Sequence, residues 1–153
     1  MPQSLDFRYI RHVDGSASAG FEEFCCQVAR IDRLLESGAF RRFRPPEGGV
    51  EATFERPSGE LEGWQAKYFL SPDASGRARF RASERSQVVQ SFETALKRYP
   101  ALTKYNVCLP MNLTNGRENP EWERTVAVCQ AMATDLGRDF RNGRRKAGIR
   151  MGF

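Results

Sequence analysis

The sequence is poor in the side chains that most enzymes use for proton and electron chemistry. It holds one histidine, His12, and four cysteines, Cys25, Cys26, Cys108 and Cys129, none in a CxxC spacing. A zinc centre of Cys and His therefore lacks ligands. A Ser–His–Asp triad or a Cys–His pair would have to use His12 near the terminus. The cysteines read instead as small buried apolar residues in a reducing cytoplasm. No apolar run approaches the ~18 residues of a membrane span. The opening MPQSLDFRYIRH has no apolar core followed by a small-residue cleavage site, so no secretory signal is read and a cytoplasmic protein is expected. A GxxxxGK phosphate loop is also absent, as are internal repeats and low-complexity runs.

What is present suits one folded domain. The chain has 153 residues, 40% of them hydrophobic and 28% charged, with eleven Phe. The net charge of +5 is unevenly placed. Residues 137–153 hold Arg138, Arg141, Arg144, Arg145, Lys146 and Arg150 against Asp139, so residues 1–136 sum to zero. We divide the chain accordingly into a domain over 1–136 and a basic, flexible tail over 137–153. Such a tail holds a phosphate backbone nonspecifically or is simply a solvated end.

The pattern along the domain alternates between helix and strand. Phe21, Phe24, Val28, Ile31 and Leu35 recur at helical spacing, with Ser18 as a possible N-cap and Gly38 as a stop. The Pro- and Gly-rich run after Phe40 reads as a loop, and Val50–Arg56 as a strand. ERPSGE is a turn, and LEGWQAKYFL a second strand. Residues 71–82 form an Arg-rich loop. A helix from Ser83 carries Val88, Phe92, Ala95, Leu96 and Tyr99 and stops before Pro100. Lys104–Leu109 is a buried strand. Pro120 opens a last helix with Trp122, Val126, Cys129, Ala133 and Leu136. The fold expected is α/β, a small mixed β-sheet flanked by helices.

The chemistry is concentrated in GGVEATFERPSGELEGWQAK. Pro57, Ser58 and Gly59 suit a three-residue hairpin loop: Pro presets φ at the first position and Gly takes the left-handed one. Arg56 then pairs with Glu60, and Glu51 sits opposite Gln65, their Cβ atoms about 5 Å apart. Lys67, two residues on, shares that face. Glu51 is a hard oxygen ligand for Mg²⁺, and the Gln65 side-chain and Ala66 backbone carbonyls add oxygens. Lys67 would orient water or neutralise charge developing on a phosphate. Residue types alone fit a surface Glu–Lys ion pair better.

The phrases around the hairpin alter that balance. Glu51 in GGVE followed by Gln65-Ala66-Lys67 resembles the PD-(D/E)xK nucleases, in the Mrr-type restriction endonuclease branch, where an acid is followed by QxK on the next strand. Phe21-Glu22 in GFEEF matches that branch's Phe-Glu pair on the preceding helix. GGVEA, GWQAKYF, SFETALKRYPALTKYNVCLPMNLT and Trp122 are similar to the nuclease domain at the N-terminus of bacterial antiviral STAND NTPases. The similarity spans about residues 18–130 and does not include the tail. QxK is a variant of the (D/E)xK signature, and Glu47 in PPEGG competes with Glu51 as ligand.

The resemblance implies a restriction-endonuclease-like core and a Mg²⁺-dependent DNA endonuclease domain acting in anti-phage defence, with Mn²⁺ as a substitute metal. It implies Glu22, Glu51, Gln65 and Lys67 as catalytic residues and Glu51, Gln65 and Ala66 as metal ligands. Duplex DNA is the expected partner, with no membrane, and the chain is expected as a homo-oligomer or in assembly with an NTPase or sensor module. Arg77, Arg79 and Arg81 in the loop, and Arg144, Arg145 and Lys146 in the tail, are the residues read as phosphate contacts. A rival reading is a catalytically weak nucleic-acid-binding or oligomerisation module that retains the fold.

Overall fold

The computed structural model describes residues 6–70, 79–111, 120–138 and 149–150. A short 3₁₀ turn, Phe7–Tyr9, precedes helix α1, Ala17–Asp32. Strands β1 (Ala39–Glu47), β2 (Val50–Glu55) and β3 (Leu61–Ala66) follow, then α2 (Ala82–Arg98), β4 (Leu102–Cys108), α3 (Pro120–Asp135) and the two-residue β5 (Ile149–Arg150). The sheet runs in the order β1-β2-β3-β4-β5. The β1–β2 and β2–β3 pairs are antiparallel, and β3–β4 and β4–β5 are parallel. Parallel β3 and β4 need a crossover connection, which α2 supplies. The protein is thus a mixed α/β fold, and no helix among the described residues is long and apolar enough to cross a membrane.

The β2–β3 register is the one the turn predicts. Ala52 pairs with Trp64, Thr53 with Gly63, Phe54 with Glu62 and Glu55 with Leu61. The loop closes through Gly59 N–H to Arg56 O at 2.8 Å and Arg56 N–H to Glu60 O at 2.9 Å, with Gly59 at φ 85°. Alternation then divides the sheet. Trp64, Ala66 and Cys108 join Phe21, Cys25, Cys26 and Ala29 of α1 in one core layer. Tyr105 and Val107 join Val88, Phe92, Leu96, Cys129 and Ala133 of α2 and α3 in the other. All four cysteines are buried and free, as their bland reading requires.

Several expectations need correction. The run after Phe40 is not a loop but β1, paired with β2 through Phe40↔Phe54 and Arg42↔Ala52, with a register shift before Glu47. That irregularity absorbs the prolines at the sheet edge. Helix α1 is capped by Ser16, not Ser18: the Ser16 hydroxyl accepts from Ala19 N–H at 3.2 Å. The helix stops at Asp32, so Ile31 is 69% exposed and Leu35 98% exposed. The buried stripe is Gly20, Phe21, Cys25, Cys26 and Ala29, and apart from Phe21 its residues are small, which lets the helix lie close to the sheet. Ser83 lies inside α2 rather than capping it. There Glu84 accepts from Arg81 N–H at 3.1 Å and from the Ser83 hydroxyl at 2.8 Å. Leu136 lies beyond the end of α3 and is exposed. In the tail, Ile149 and Arg150 pair with Tyr105 and Asn106 of β4, and residues 139–148 and 151–153 lie outside the described residues.

A buried charge network ties α1 to the sheet. Glu62, on β3, is fully buried. Arg33, just past the end of α1, grips it with Nε at 3.0 Å and Nη2 at 3.1 Å. Arg56 Nη2 lies at 2.9 Å, Asn106 Nδ2 at 2.8 Å and Lys104 Nζ at 2.6 Å. Burial alone would raise the Glu62 pKa. The bonds from Arg33, Lys104, Asn106 and Arg56 outweigh it and hold the pKa at about 2. Removing this carboxylate leaves three cations facing one another. Glu62→Gln should therefore destabilise the fold by about 3–5 kcal/mol in denaturant unfolding at neutral pH. The folded pKa lies below the unfolded one near 4.5, so this stability is present above pH 4.5 and lost as pH falls toward 2. The gap between wild type and Glu62→Gln should shrink over that range, and equal stability at pH 7 would show the network to be ornamental.

Candidate active site

Two glycines deliver the acid. Gly48 and Gly49, at φ 60° and 76°, turn the chain from β1 into β2. A Cβ on Gly49 would lie 2.1 Å from the carbonyl oxygen of Ser91, so α2 covers this turn closely. Glu51 follows as the second residue of β2. Extending the observed register sets it opposite Gln65.

The side chains meet as that register requires. Gln65 Nε2 donates to Glu51 Oε1 at 2.6 Å and to Ala66 O at 3.2 Å. Ala66 N–H donates to Glu51 Oε2 at 2.7 Å. The Tyr105 hydroxyl braces the group, donating to Gly49 O at 2.7 Å with Gln65 Oε1 at 3.4 Å. Lys67 continues the parallel pairing, its N–H donating to Cys108 O at 3.0 Å, and its side chain is half-buried.

Glu51 is 2% exposed. Burial drives its pKa up, the Ala66 N–H bond lowers it, the Glu22 charge raises it and the Lys67 charge lowers it, leaving it at about 8. Glu22 and Lys67 thus both act on this carboxyl through space, one from α1 and one from the end of β3. Of the four residues singled out as catalytic, Glu51 and Gln65 are in direct contact, and Glu22 and Lys67 are linked to them through the effect of their charges on Glu51. Glu47 does not join them: its exposed carboxylate accepts from Arg98 Nη2 at 2.8 Å and its carbonyl from the Tyr99 hydroxyl at 3.1 Å. Glu23 turns instead to Gln27, Arg42 and Arg44.

A hard cation has oxygens here. The Gln65 amide nitrogen sits between Glu51 Oε1 and Ala66 O, a donor lodged among acceptors. Turning the amide over replaces its N–H groups with its carbonyl oxygen, giving three oxygens that converge. The donor chemistry fits Mg²⁺ or Mn²⁺. Among the described residues no group of three or more His, Cys, Asp and Glu side chains gathers to hold a metal, so any such site relies on carbonyl oxygens beside one buried carboxylate.

Of the phosphate contacts expected from sequence, only Arg79 and Arg81 lie among the described residues. Arg79 and Arg81 flank buried Phe80 just before α2, where the Phe80 ring packs edge-on to Trp122 at 5.3 Å. Arg77, Arg144, Arg145 and Lys146 lie outside the described residues. Ser86 lines a groove of about 520 Å³ between α2 and α3, with Arg85, Val89 and Arg124. That groove includes none of Glu22, Glu51, Gln65 or Lys67. Sequence reasoning missed Tyr105 and Arg42, whose Nη1 lies 3.5 Å from Glu51 O. Arg42 was hidden because its segment read as a loop. No protein-family model, curated protein or solved structure matches this chain.

The raised Glu51 pKa has a thermodynamic consequence. Its folded value near 8 exceeds the unfolded value near 4.5. Stability is therefore unpenalised below pH 4.5 and falls as pH rises through 8. Replacing the carboxyl with a neutral amide removes that penalty. Glu51→Gln should melt higher than wild type at pH 7, by the equivalent of on the order of 3 kcal/mol, and match it near pH 4. Thermal melts across pH check this, and a wild-type advantage at pH 8 would contradict the burial argument.

Proposed function

We propose that the chain is a Mg²⁺-dependent DNA endonuclease domain of the PD-(D/E)xK group, acting in anti-phage defence in the cytoplasm. The observation that carries this reading is the buried, hydrogen-bonded cluster of Glu51, Gln65 and Ala66, with the charges of Lys67 and Glu22 acting on the same carboxyl. The order α1-β1-β2-β3-α2-β4 supports it, because it puts the acid at the start of one hairpin strand and QxK at the end of the next. Duplex DNA is the substrate, and an NTPase or sensor module, or a second copy of the chain, is the expected assembly partner.

On this reading Glu51, Gln65 and Ala66 would hold the cation. Bound there, a divalent ion supplies Lewis-acid polarisation of the phosphate and of water. Hydrolysis joins a water oxygen to phosphorus, breaks one P–O ester bond and leaves the departing oxygen with a proton. Lys67 stabilises negative charge as it builds on the phosphoryl oxygens. Glu22 adds a carboxylate on the α1 side, orienting water through its acceptor oxygens. Tyr105 holds the Gly49 turn and the Gln65 amide, keeping the oxygens in place.

One observation favours the rival, a binding or assembly module that keeps the fold without efficient chemistry. With its pKa near 8, Glu51 is largely protonated at neutral pH, which weakens its claim on a cation. A plasmid assay separates the two. The endonuclease reading expects nicking or linearisation in Mg²⁺ and none in EDTA. Lys67→Ala should cut at least a hundredfold more slowly while still folding, by the usual cost of losing one transition-state electrostatic contact. Glu51→Ala should lose metal-dependent cleavage altogether. Binding with no cleavage in Mg²⁺ or Mn²⁺ would establish the module instead.

A further inference from the structure

Strand β1 brings a second set of charges to the same end of the sheet. Arg42 pairs with Ala52, the neighbour of Glu51. Its guanidinium is poorly provided for. Nη1 meets Cys26 Sγ at 2.6 Å and Glu51 O only at 3.5 Å. Nη2 stands 3.6 Å from Glu23 Oε2, beyond hydrogen-bond reach. Nε is buried with no hydrogen-bond partner, the one such side-chain atom among the described residues. A guanidinium has five donors shaped for carboxylate or phosphate oxygens, and a buried donor without a partner calls for an explanation.

Glu23 does not satisfy it. That carboxylate also accepts from Gln27 Nε2 at 2.8 Å and is paired with Arg44. Two arginines on the sheet's edge strand thus share one carboxylate, and a positive charge is left over beside Glu51. The Arg42 side chain keeps 22% of its surface exposed, so one edge of it reaches solvent. That edge belongs to the strand paired with the one that carries Glu51, and it is open to a backbone phosphate.

We propose that Arg42 is a phosphate-binding residue of this site, taking a non-bridging oxygen of the DNA backbone, with Glu23 as the internal carboxylate that the phosphate displaces. The inference rests on the nucleic-acid reading above and adds a recognition residue that the hairpin motif does not contain. Arg44, released from Glu23 by the same exchange, supplies a second cation along the strand. Glu23 then acts as an intramolecular competitor, lowering affinity for DNA while no DNA is present.

The test is binding of a short fluorescent DNA duplex to the full chain in EDTA, across a salt series, for wild type, Arg42→Gln, Glu23→Gln and the double variant. Arg42→Gln should weaken binding about tenfold at low salt and reduce the logarithmic salt slope by about 0.9, the value of one phosphate contact. Glu23→Gln should tighten binding, and Arg42→Gln should cancel much of that gain. A purely structural Arg42 would give no such gain to cancel. Unchanged affinity and slope in Arg42→Gln overturns the inference, as does a wild-type chain that binds no duplex. If Arg42→Gln fails to fold, Glu23→Gln decides alone, and unchanged or weaker binding there overturns the inference. The two readings fail separately. Arg42-dependent binding without Mg²⁺-dependent cleavage defeats the endonuclease and leaves this inference standing. Cleavage by wild type with Arg42-independent binding does the reverse.

Discussion

The register of one hairpin carries the rest of the structure. Side chains alternate faces along a strand, so a slip of one residue between β2 and β3 would move every group to the opposite side. Glu51 would leave Gln65, and Arg56 would leave Glu62. Three residues, Pro57, Ser58 and Gly59, prevent the slip by fixing the loop, with Gly59 in the left-handed conformation at φ 85°. The Arg56–Glu60 and Gly59–Arg56 backbone bonds then set the pairing that runs to Ala52 and Trp64. The parallel pairing of β3 with β4 takes its own alignment from strand β3, which brings Tyr105 beside Gly63 and behind Gln65.

The same hairpin holds two buried carboxylates that the fold treats in opposite ways. Glu62 faces α1 and is met by Arg33, Arg56 and Lys104, and its pKa sinks to about 2. Glu51 is met by an amide and a backbone N–H, and its pKa climbs to about 8. Desolvation pushes both the same way, so the difference is the number of cations within reach. Glu62 is saturated with donors and works as a structural tie between helix and sheet. Glu51 has one cation acting on it, Lys67, against the opposing charge of Glu22. Groups whose surroundings drive their pKa values apart are candidates for different jobs, and on the proposed reading the one short of positive charge is the one that a cation would complete.

What the sequence disclosed follows from the range of the interactions involved. The β2–β3 register was legible because a three-residue turn is a local event with strong residue preferences. The last helix was legible from Pro120 for the same reason. Strand β1 was not, because FRRFRPPE shows no two-residue alternation and its prolines signal a loop, whereas in the fold they lie at an irregular sheet edge. The burial of α1 was misjudged because its largest apolar residues at the C-terminal end, Ile31 and Leu35, extend past the sheet, while small Cys25, Cys26 and Ala29 make the contact. The partners of Glu62 come from positions 29, 42 and 44 residues away, and no spacing rule reaches that far. Arg42 was lost along with β1.

The contrast between the two carboxylates also bears on why a chain would keep Glu51. At neutral pH the acid costs the folded state free energy that a glutamine would not, because its buried carboxyl is met by an amide and a backbone N–H and has little cationic support. Selection for stability alone would remove it, as marginal folds gain from a few kcal/mol. Structural demand does not account for it either, because the Ala66 N–H needs only an acceptor, which an amide oxygen supplies. Glu22 adds repulsion that Lys67 opposes, and Arg42 offers its guanidinium to Cys26 and to the Glu51 backbone rather than to the carboxylate. On the proposed reading, a buried carboxyl with little cationic support, a lysine beside it and a guanidinium with an unpaired buried donor become mutually consistent once a cation and a phosphate are added. On that reading a cation would compensate the carboxylate, and a phosphate would compensate Lys67 and Arg42. The free-energy cost carried by Glu51 is, on that reading, the counterpart of interactions that substrate would complete.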